Sequence, residues 1–253
     1  MKITHIGGPT ALFGLGGLTF LTDPAFDEPR DYQLSNRVMT KLTGPAIPVE
    51  QLGQVDVVLL SHDQHKDNLD RSGRALLPSI PTVLSTPDAA ERIPGVRGLT
   101  TWESVELERP DGNVVTVTSV PALHGPDGAE QVAGVVTGFV LHGEGLPTVY
   151  VSGDNASLGL VQQIADRFGP IDIAILFAGA ARTPLLNGAN LTLTSTDAVE
   201  AAQLLHAGTV VPVHTEGWKH FTEGPDQFVA AFTEAGLGDL VRLLEHGVAT
   251  ELD

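Results

Sequence analysis

The residues Ser61-His62-Asp63-Gln64-His65-Lys66-Asp67-Asn68 place five side chains with metal-binding atoms in one short stretch: His62, Asp63, His65, Asp67 and Asn68. Imidazole nitrogen and carboxylate oxygen together suit Zn, Mn or Fe rather than a thiolate-loving ion. The stretch follows the apolar run Val55-Asp56-Val57-Val58-Leu59-Leu60, which reads as a buried strand. It precedes a segment with helical character from Asn68 to Leu77. Loops at the carboxyl ends of buried strands are where open α/β folds place their chemistry. The same residues also read as a solvated loop, with Asp67 or Asn68 capping the helix that follows.

Three more strand ends carry residues of the same kind. His124 ends the run Asn113 to Val120 and Pro121-Ala122-Leu123. Asp154 follows Thr148 to Val151 in Ser152-Gly153-Asp154-Asn155. His214 ends Thr209-Val210-Val211-Pro212-Val213. Other histidines have plainer readings: His142 in a hairpin turn, His206 on a helix, His246 in a C-terminal turn. His5, at the end of a first strand, reads as a core histidine or one behind the site.

Composition narrows the chemistry. The 253 residues contain no Cys, so a thiolate site, a cysteine nucleophile and disulfides are excluded. Any metal must be held by His, Asp, Glu or Asn. The formal charge of −17 repels a phosphate backbone at long range, so no nucleic-acid partner is expected. The start, Met1-Lys2-Ile3-Thr4-His5, lacks a signal-peptide pattern, and no apolar run approaches a membrane span. A cytoplasmic location and a small-molecule substrate are the expectation. No segment carries an oligomerisation pattern, and a homo-oligomer is left open.

The elements that must position these residues can be read along the chain. Strands are expected at Lys2 to Ile6, Thr10 to Phe13 and Gly17 to Thr22, the last ending in the turn Leu21-Thr22-Asp23-Pro24. Residues 26 to 50 contain three prolines and no clear periodicity, and read as a long irregular insertion. Phe26, Tyr32 and Leu34 are expected to line a pocket beneath it. Hairpins dominate the first half. In the second half, helices at Leu158 to Phe168, Asp197 to Ala207 and Pro225 to Ala235 alternate with strands, ending in a strand at Val241 to Leu244. Ser195 or Thr196 is expected to cap the second of these helices. Such a pattern suggests two packed sheets with helices outside.

Taken together, these motifs resemble the metallo-β-lactamase fold hydrolases, in particular the UlaG-like lactone hydrolases. The resemblance spans almost the whole chain as a single domain, 1–253. It rests on Ile6-Gly7-Gly8, Leu21-Thr22-Asp23-Pro24, the Ser61 to Asn68 loop set against H-x-H-x-D-H, Pro121 to His124, Ser152 to Asn155 and Val211 to His214. It implies an α/β fold, a four-layer αββα sandwich with metals where the two sheets meet. Aligning Asp67 with the family Asp puts His65 on the second His, Asp63 on the first and Asn68 on the third. His62 then falls one residue early. This alignment favours Asp63 as the ligand and gives His62 a place behind the ligands or facing substrate. The resemblance implies one metal on Asp63, His65 and His124, another on Asp67 and His214 with Asn68, and Asp154 between them.

The function expected is a metal-dependent hydrolase that uses a metal-bound hydroxide on a small-molecule ester, lactone or phosphodiester. Two divalent ions per chain, Zn, Mn or Fe, are expected. Asp67 would orient the nucleophile or carry its proton. His62 is a further candidate at the site, and His220, Lys219 and Arg182 are candidates for holding an anionic part of the substrate. Two alternatives belong to other classes: a ligand-binding protein with a degenerate site, and an iron-dependent oxygenase on the same fold.

Overall fold

The computed structural model describes residues 1–34 and 37–252. The first sheet is built from β1 (Lys2–Gly7), β2 (Thr10–Leu15) and β3 (Leu18–Thr22). A small separate hairpin, β4 (Arg30–Gln33) with β5 (Val38–Lys41), comes next in the chain. The first sheet resumes with β6 (Val57–Leu59), β7 (Thr82–Ser85) and β8 (Val96–Gly98). The second sheet contains β9 (Ser104–Glu108), β10 (Val114–Ala122), β11 (Val136–His142), β12 (Val149–Val151), β13 (Ile173–Phe177) and β14 (Thr209–Val213). The closing strand, β15 (Thr250–Glu251), returns to the first sheet beside β1. The orders are β15-β1-β2-β3-β6-β7-β8 and β14-β13-β12-β11-β10-β9.

Side-chain alternation explains why these sheets stack. Successive strand residues face opposite ways. Val57 and Leu59 of β6 join Phe13, Phe20, Val117, Phe139, Ile175 and Val211 in a core between the sheets. Val58 and Leu60 face the other way and pack with Leu69, Leu77 and Ile93 near α1 (Arg71–Leu76) and α2 (Pro87–Arg92). On the far side, Val140, Tyr150, Leu176 and Val210 pack against α4 (Leu158–Phe168), α5 (Ser195–Leu204) and α6 (Pro225–Glu234). A short α3 (Glu130–Ala133) precedes β11. Three apolar layers between four layers of structure, two of sheet and two of helix, make the expected αββα sandwich.

Several expected boundaries move, each for a physical reason. The helix after the metal-binding loop starts at Arg71, because the Asp70 carboxylate, not Asp67 or Asn68, accepts from Gly73 N at 2.9 Å. Thr194, rather than Ser195 or Thr196, caps α5, in a reciprocal pair with Asp197. Part of the supposed irregular insertion is the β4–β5 hairpin. Phe26 packs into the core outside the first sheet, and Tyr32 stacks on Trp218, with ring centroids 5.6 Å apart. Neither lines the pocket. The segment Val241 to Leu244 makes only a single bridge, Val210 to Val241, and is not a strand.

Candidate metal centre

Five strands of the two sheets release their chains at one end of the sandwich, and each delivers a polar residue there. β3 delivers Asp23, β6 the loop from Ser61, β10 His124, β12 Asp154 and β14 His214. All of these side chains are buried, and Asp154 and His214 have no exposed surface. Close backbone approach makes this convergence feasible. A Cβ on Gly179 would stand 2.2 Å from the His214 carbonyl oxygen, and one on Gly153, at φ +58°, would stand 2.6 Å from Thr137 O. Only glycine fits at either place.

Two clusters form, joined by Asp154. The first gathers His62, His65, His124 and Asp154, and the second Asp67, Asp154 and His214. In the first, His65 Nδ1 lies 3.0 Å from His62 Nε2 and 3.1 Å from His124 Nε2. His124 Nε2 is 3.4 Å from Asp154 Oδ2. In the second, His214 stands 3.4 Å from Asp67 Oδ2 through Nε2 and 3.4 Å from Asp154 Oδ1 through Nδ1.

The hydrogen bonds around the first cluster fix its tautomers. Leu191 O can only accept, so His124 donates from Nδ1 at 2.8 Å and keeps a lone pair on Nε2. Ser61 Oγ gives its proton to Asp23 Oδ2 at 2.6 Å, so His62 donates from Nδ1 to Ser61 Oγ at 2.9 Å. The His62 Nε2 lone pair is therefore also turned inward. His65 Nδ1 has at most one proton to share between the inward lone pairs of His62 and His124, at 3.0 and 3.1 Å. These separations match the spacing of roughly 3.3 Å that follows from four-coordinate metal–nitrogen bonds of about 2.0–2.1 Å. Burial drives His62 and His65 towards the neutral form, His65 to about 4, and the neighbouring rings push the same way. Neutral imidazole is the form that ligates.

Unpaired atoms make the same point. Asp67 Oδ1, Asn68 Oδ1, Asp154 Oδ2 and both ring nitrogens of His214 are buried with no hydrogen-bond partner among the described residues. Leaving buried polar atoms unpaired costs about 1–3 kcal/mol each, so a cluster of them points to an absent cation. The residues present therefore fit a divalent metal. Burial works to lower the His214 pKa, but Asp154 and then Asp67 outweigh it, and the ring ends raised. Burial likewise works to raise Asp67, but His220 and His214 hold it well below the usual carboxylate range.

The structure separates the expected residues. His65, Asp67, His124, Asp154 and His214 come together. His62 and Asp63 exchange the roles assigned to them: His62 points into the first cluster, and Asp63 turns outwards. The Asp63 carboxylate accepts from Arg92 Nε at 3.0 and 3.1 Å and from Nη2 at 2.5 Å, with Arg74 3.8 Å away. Two guanidiniums on the outer helices compete for it, and the imidazole takes the inner position. Asn68 Nδ2 donates to Asp23 Oδ2 at 3.0 Å and Asp154 Oδ1 at 3.1 Å, so the amide ties two carboxylates together. His220 donates from Nε2 to Asp67 Oδ2 at 2.9 Å. Lys219 and Arg182 line the adjoining pocket.

Asp23 was missed as a site residue, since Leu21-Thr22-Asp23-Pro24 reads as a turn. Its carboxylate accepts from Ser61 N at 2.6 Å, Ser61 Oγ and Asn68 Nδ2, and so grips the loop at both ends. Burial raises its pKa to about 7, against the lowering effect of the Asn68 and Ser61 hydrogen bonds. Its place after a strand in the same sheet as β6 was the available signal. Arg37 was also missed. It lines the pocket with Val38, Met39, Leu191 and His220, and lies just before β5 at the turn end of the β4–β5 hairpin.

Comparison with known proteins bears on the family and the fold. Residues 19–215 match the β-lactamase superfamily domain. A metal-dependent hydrolase of Pyrococcus abyssi is 28% identical over 183 residues, 71% of this chain and 75% of that protein. The crystal structure of an isothiocyanate hydrolase from Delia radicum gut bacteria superposes with a TM-score of 0.84 at 22% identity, covering 99% of each chain. The diiron β-hydroxylase CmlA from Streptomyces venezuelae gives 0.68 at 16% identity, over 99% of this chain and 54% of the hydroxylase. The chain belongs to the β-lactamase superfamily domain family, and its two-sheet sandwich is the metallo-β-lactamase fold found in metal-dependent hydrolases.

Proposed function

We propose that the protein is a metal-dependent hydrolase of a small molecule that carries a negative charge, with an ester, lactone or phosphodiester as the bond cleaved. One observation carries this reading: the metal-binding clusters open into a pocket ringed by cations. His65, Asp67, His124 and His220 share that pocket with Arg37, Arg182 and Lys219, between the apolar walls of Val38, Met39, Ala181 and Leu191. The whole chain has only 14 Lys and Arg against 31 Asp and Glu. Three cations at one mouth of so acidic a protein focus its field on an anion there.

Two cations would fit, one on His62, His65, His124 and Asp154, the other on Asp67, Asp154 and His214. A divalent ion so held lowers the pKa of a water and polarises the oxygen of the bond to be broken. The chain's own groups do the rest. Asp67 is held as a carboxylate by His220, whose Nδ1 lacks a partner among the described residues and is free to take a proton. Arg182 is oriented by Asn190 at 2.8 Å, and Arg37 by Thr183 at 2.6 Å. Both guanidiniums retain donors for a carboxylate or phosphate. Met39 and Leu191 exclude water from the apolar part of the substrate.

The test is turnover of matched ester, lactone and phosphodiester substrates, each with and without a carboxylate, by zinc-, manganese- and iron-loaded protein. Faster hydrolysis of the charged member, with kcat/KM falling about tenfold or more in R182Q and R37Q, supports the reading. Equal turnover of both members of the ester and lactone pairs, the phosphodiester being anionic in either form, sinks the anionic part. Oxygen consumption by the iron form without hydrolysis would favour the oxygenase, and no turnover with metal bound would favour a binding protein.

A further inference from the structure

A second group of ligating side chains lies on the other side of the His214 loop, outside both clusters. His5 from β1, Glu216 from the loop after β14 and His246 from the C-terminal segment each offer a donor atom, and these atoms lie within 4.8 Å of one another. All three line one cavity, with Thr215 and Pro225. His5 is buried, and Glu216 and His246 are half-exposed.

The chemistry of His5 is the informative part. Its Nε2 lies 2.9 Å from Gly8 O, which can only accept, so Nε2 carries the proton and Nδ1 the lone pair. An imidazole that donates one nitrogen to a backbone carbonyl while offering the other is the usual arrangement of a metal-ligating histidine. Burial holds this ring at about 4, so it is neutral. His246 meets it edge-on, with centroids 4.4 Å apart, and donates from Nε2 to Glu216 Oε1 at 2.8 Å. Two imidazoles and a carboxylate on three separate segments make a donor set suited to Zn or a similar divalent transition ion.

We infer that His5, Glu216 and His246 form a separate transition-metal site that clamps the start of the chain, the His214 loop and the C-terminal segment together. The donors already lie within 4.8 Å of one another, and His246 and Glu216 touch at 2.8 Å, so only modest side-chain rotation is needed to reach the roughly 3.3 Å of a four-coordinate site. Glu216 and His246 have the freedom to do this, since their side chains are 42% and 35% exposed. Ligation through His246 Nε2 gives up the proton it shares with Glu216: from the imidazolium it leaves to solvent, and from the neutral ring it is replaced by one on Nδ1, so that the ligating ring is neutral. The clamp reaches the main centre through one atom. Gly8 O accepts both from His5 Nε2 and from the backbone N–H of His214 at 2.7 Å. It therefore helps hold His214 at its left-handed φ of 57°.

This inference is independent of the hydrolase reading, and its test needs no substrate. Equilibrium dialysis of the full chain against zinc chloride, followed by elemental analysis, is run on wild type, H246Q and E216Q. Both variants are expected to hold one zinc per chain fewer than wild type. A chain carrying H62Q and H124Q is expected to keep that zinc and lose it when H246Q is added. Equal zinc in wild type, H246Q and E216Q would overturn the site and leave Glu216 and His246 as an ordinary ion pair. Because the two varied side chains are half-exposed, the single variants fold, so that comparison decides even if the combined variant does not.

Discussion

The exchange of His62 and Asp63 is open to a direct test, in which D63N and H62Q must fail in different ways. Asp63 has a nearly buried carboxylate bound through both oxygens by a guanidinium that is 42% exposed. Hydrogen bonds to a charged group contribute about 1.5–3 kcal/mol, and exposed pairs only about 0.2–1 kcal/mol. Because the carboxylate itself is nearly buried, a figure in the lower part of the first range, about 2 kcal/mol, is expected for D63N. For a domain of this size each kcal/mol moves the midpoint by about 2–4 °C, so thermal unfolding of the metal-free protein should fall by about 4–8 °C. The metal content of D63N should match wild type, because its carboxylate faces Arg92 and not the clusters. H62Q removes an inward lone pair and should lower the occupancy of the first cluster at limiting metal. Elemental analysis and thermal unfolding of both variants settle it. Loss of metal in D63N with retention in H62Q would refute this exchange.

Other outcomes follow from the same contacts. His5 has a folded pKa of about 4, below the 6.5 of an unfolded imidazole. Below pH 6.5 the unfolded chain therefore binds the extra proton, and stability falls as pH drops from 6.5 to 4, then levels off. At about 1.4 kcal/mol for each pH unit the loss is about 3 kcal/mol. Urea titrations in chelator should show this component in wild type and lose it in H5Q; an unchanged pH slope in H5Q would contradict it. Removing metal with a chelator should lower the thermal midpoint, since an ion at a thousand times its Kd contributes about 4 kcal/mol; scans with and without re-added ion check this. T194A removes the cap of α5 and should cost about 1 kcal/mol with metal content unchanged, read by urea titration.

Much of this was legible because strand ends announce themselves. His124, Asp154 and His214 each follow a run of β-branched and apolar residues, and a buried strand that stops at a polar residue has few other uses for it. What could not be read was rotation about the chain. His62 and Asp63 are adjacent and both can ligate, and a shift of one residue turns the side chain to the other face. Their fates are decided by Arg74 and Arg92, which sit on helices whose packing the loop does not encode. The hairpin at Arg30–Gln33 and Val38–Lys41 escaped for a similar reason. Its stability comes from Tyr32 and Met39 packing on Trp218, a residue far along the chain, and not from local alternation. His246 looked ordinary because its partners, His5 and Glu216, are distant in sequence and meet only when the last segment folds back.

Asp23 shows how the centre holds a shape that opposes burial. A carboxylate with 1% exposure gains nothing from being there alone. Its worth lies in what it fixes. Through Ser61 Oγ it sets the His62 tautomer, and through Asn68 it holds the far end of the same loop beside Asp154. Asn68 is well suited to this because its amide donates to two carboxylates that would otherwise face each other bare; an imidazole there has one N–H to give at neutral charge. The loop thus trades a third histidine for a donor that steadies Asp23 and Asp154. His62, arriving one residue early, restores the imidazole count at the first cluster. The departures of Ser61 to Asn68 from the H-x-H-x-D-H pattern are therefore coupled: they move one histidine and replace another while keeping a full donor set around Asp154.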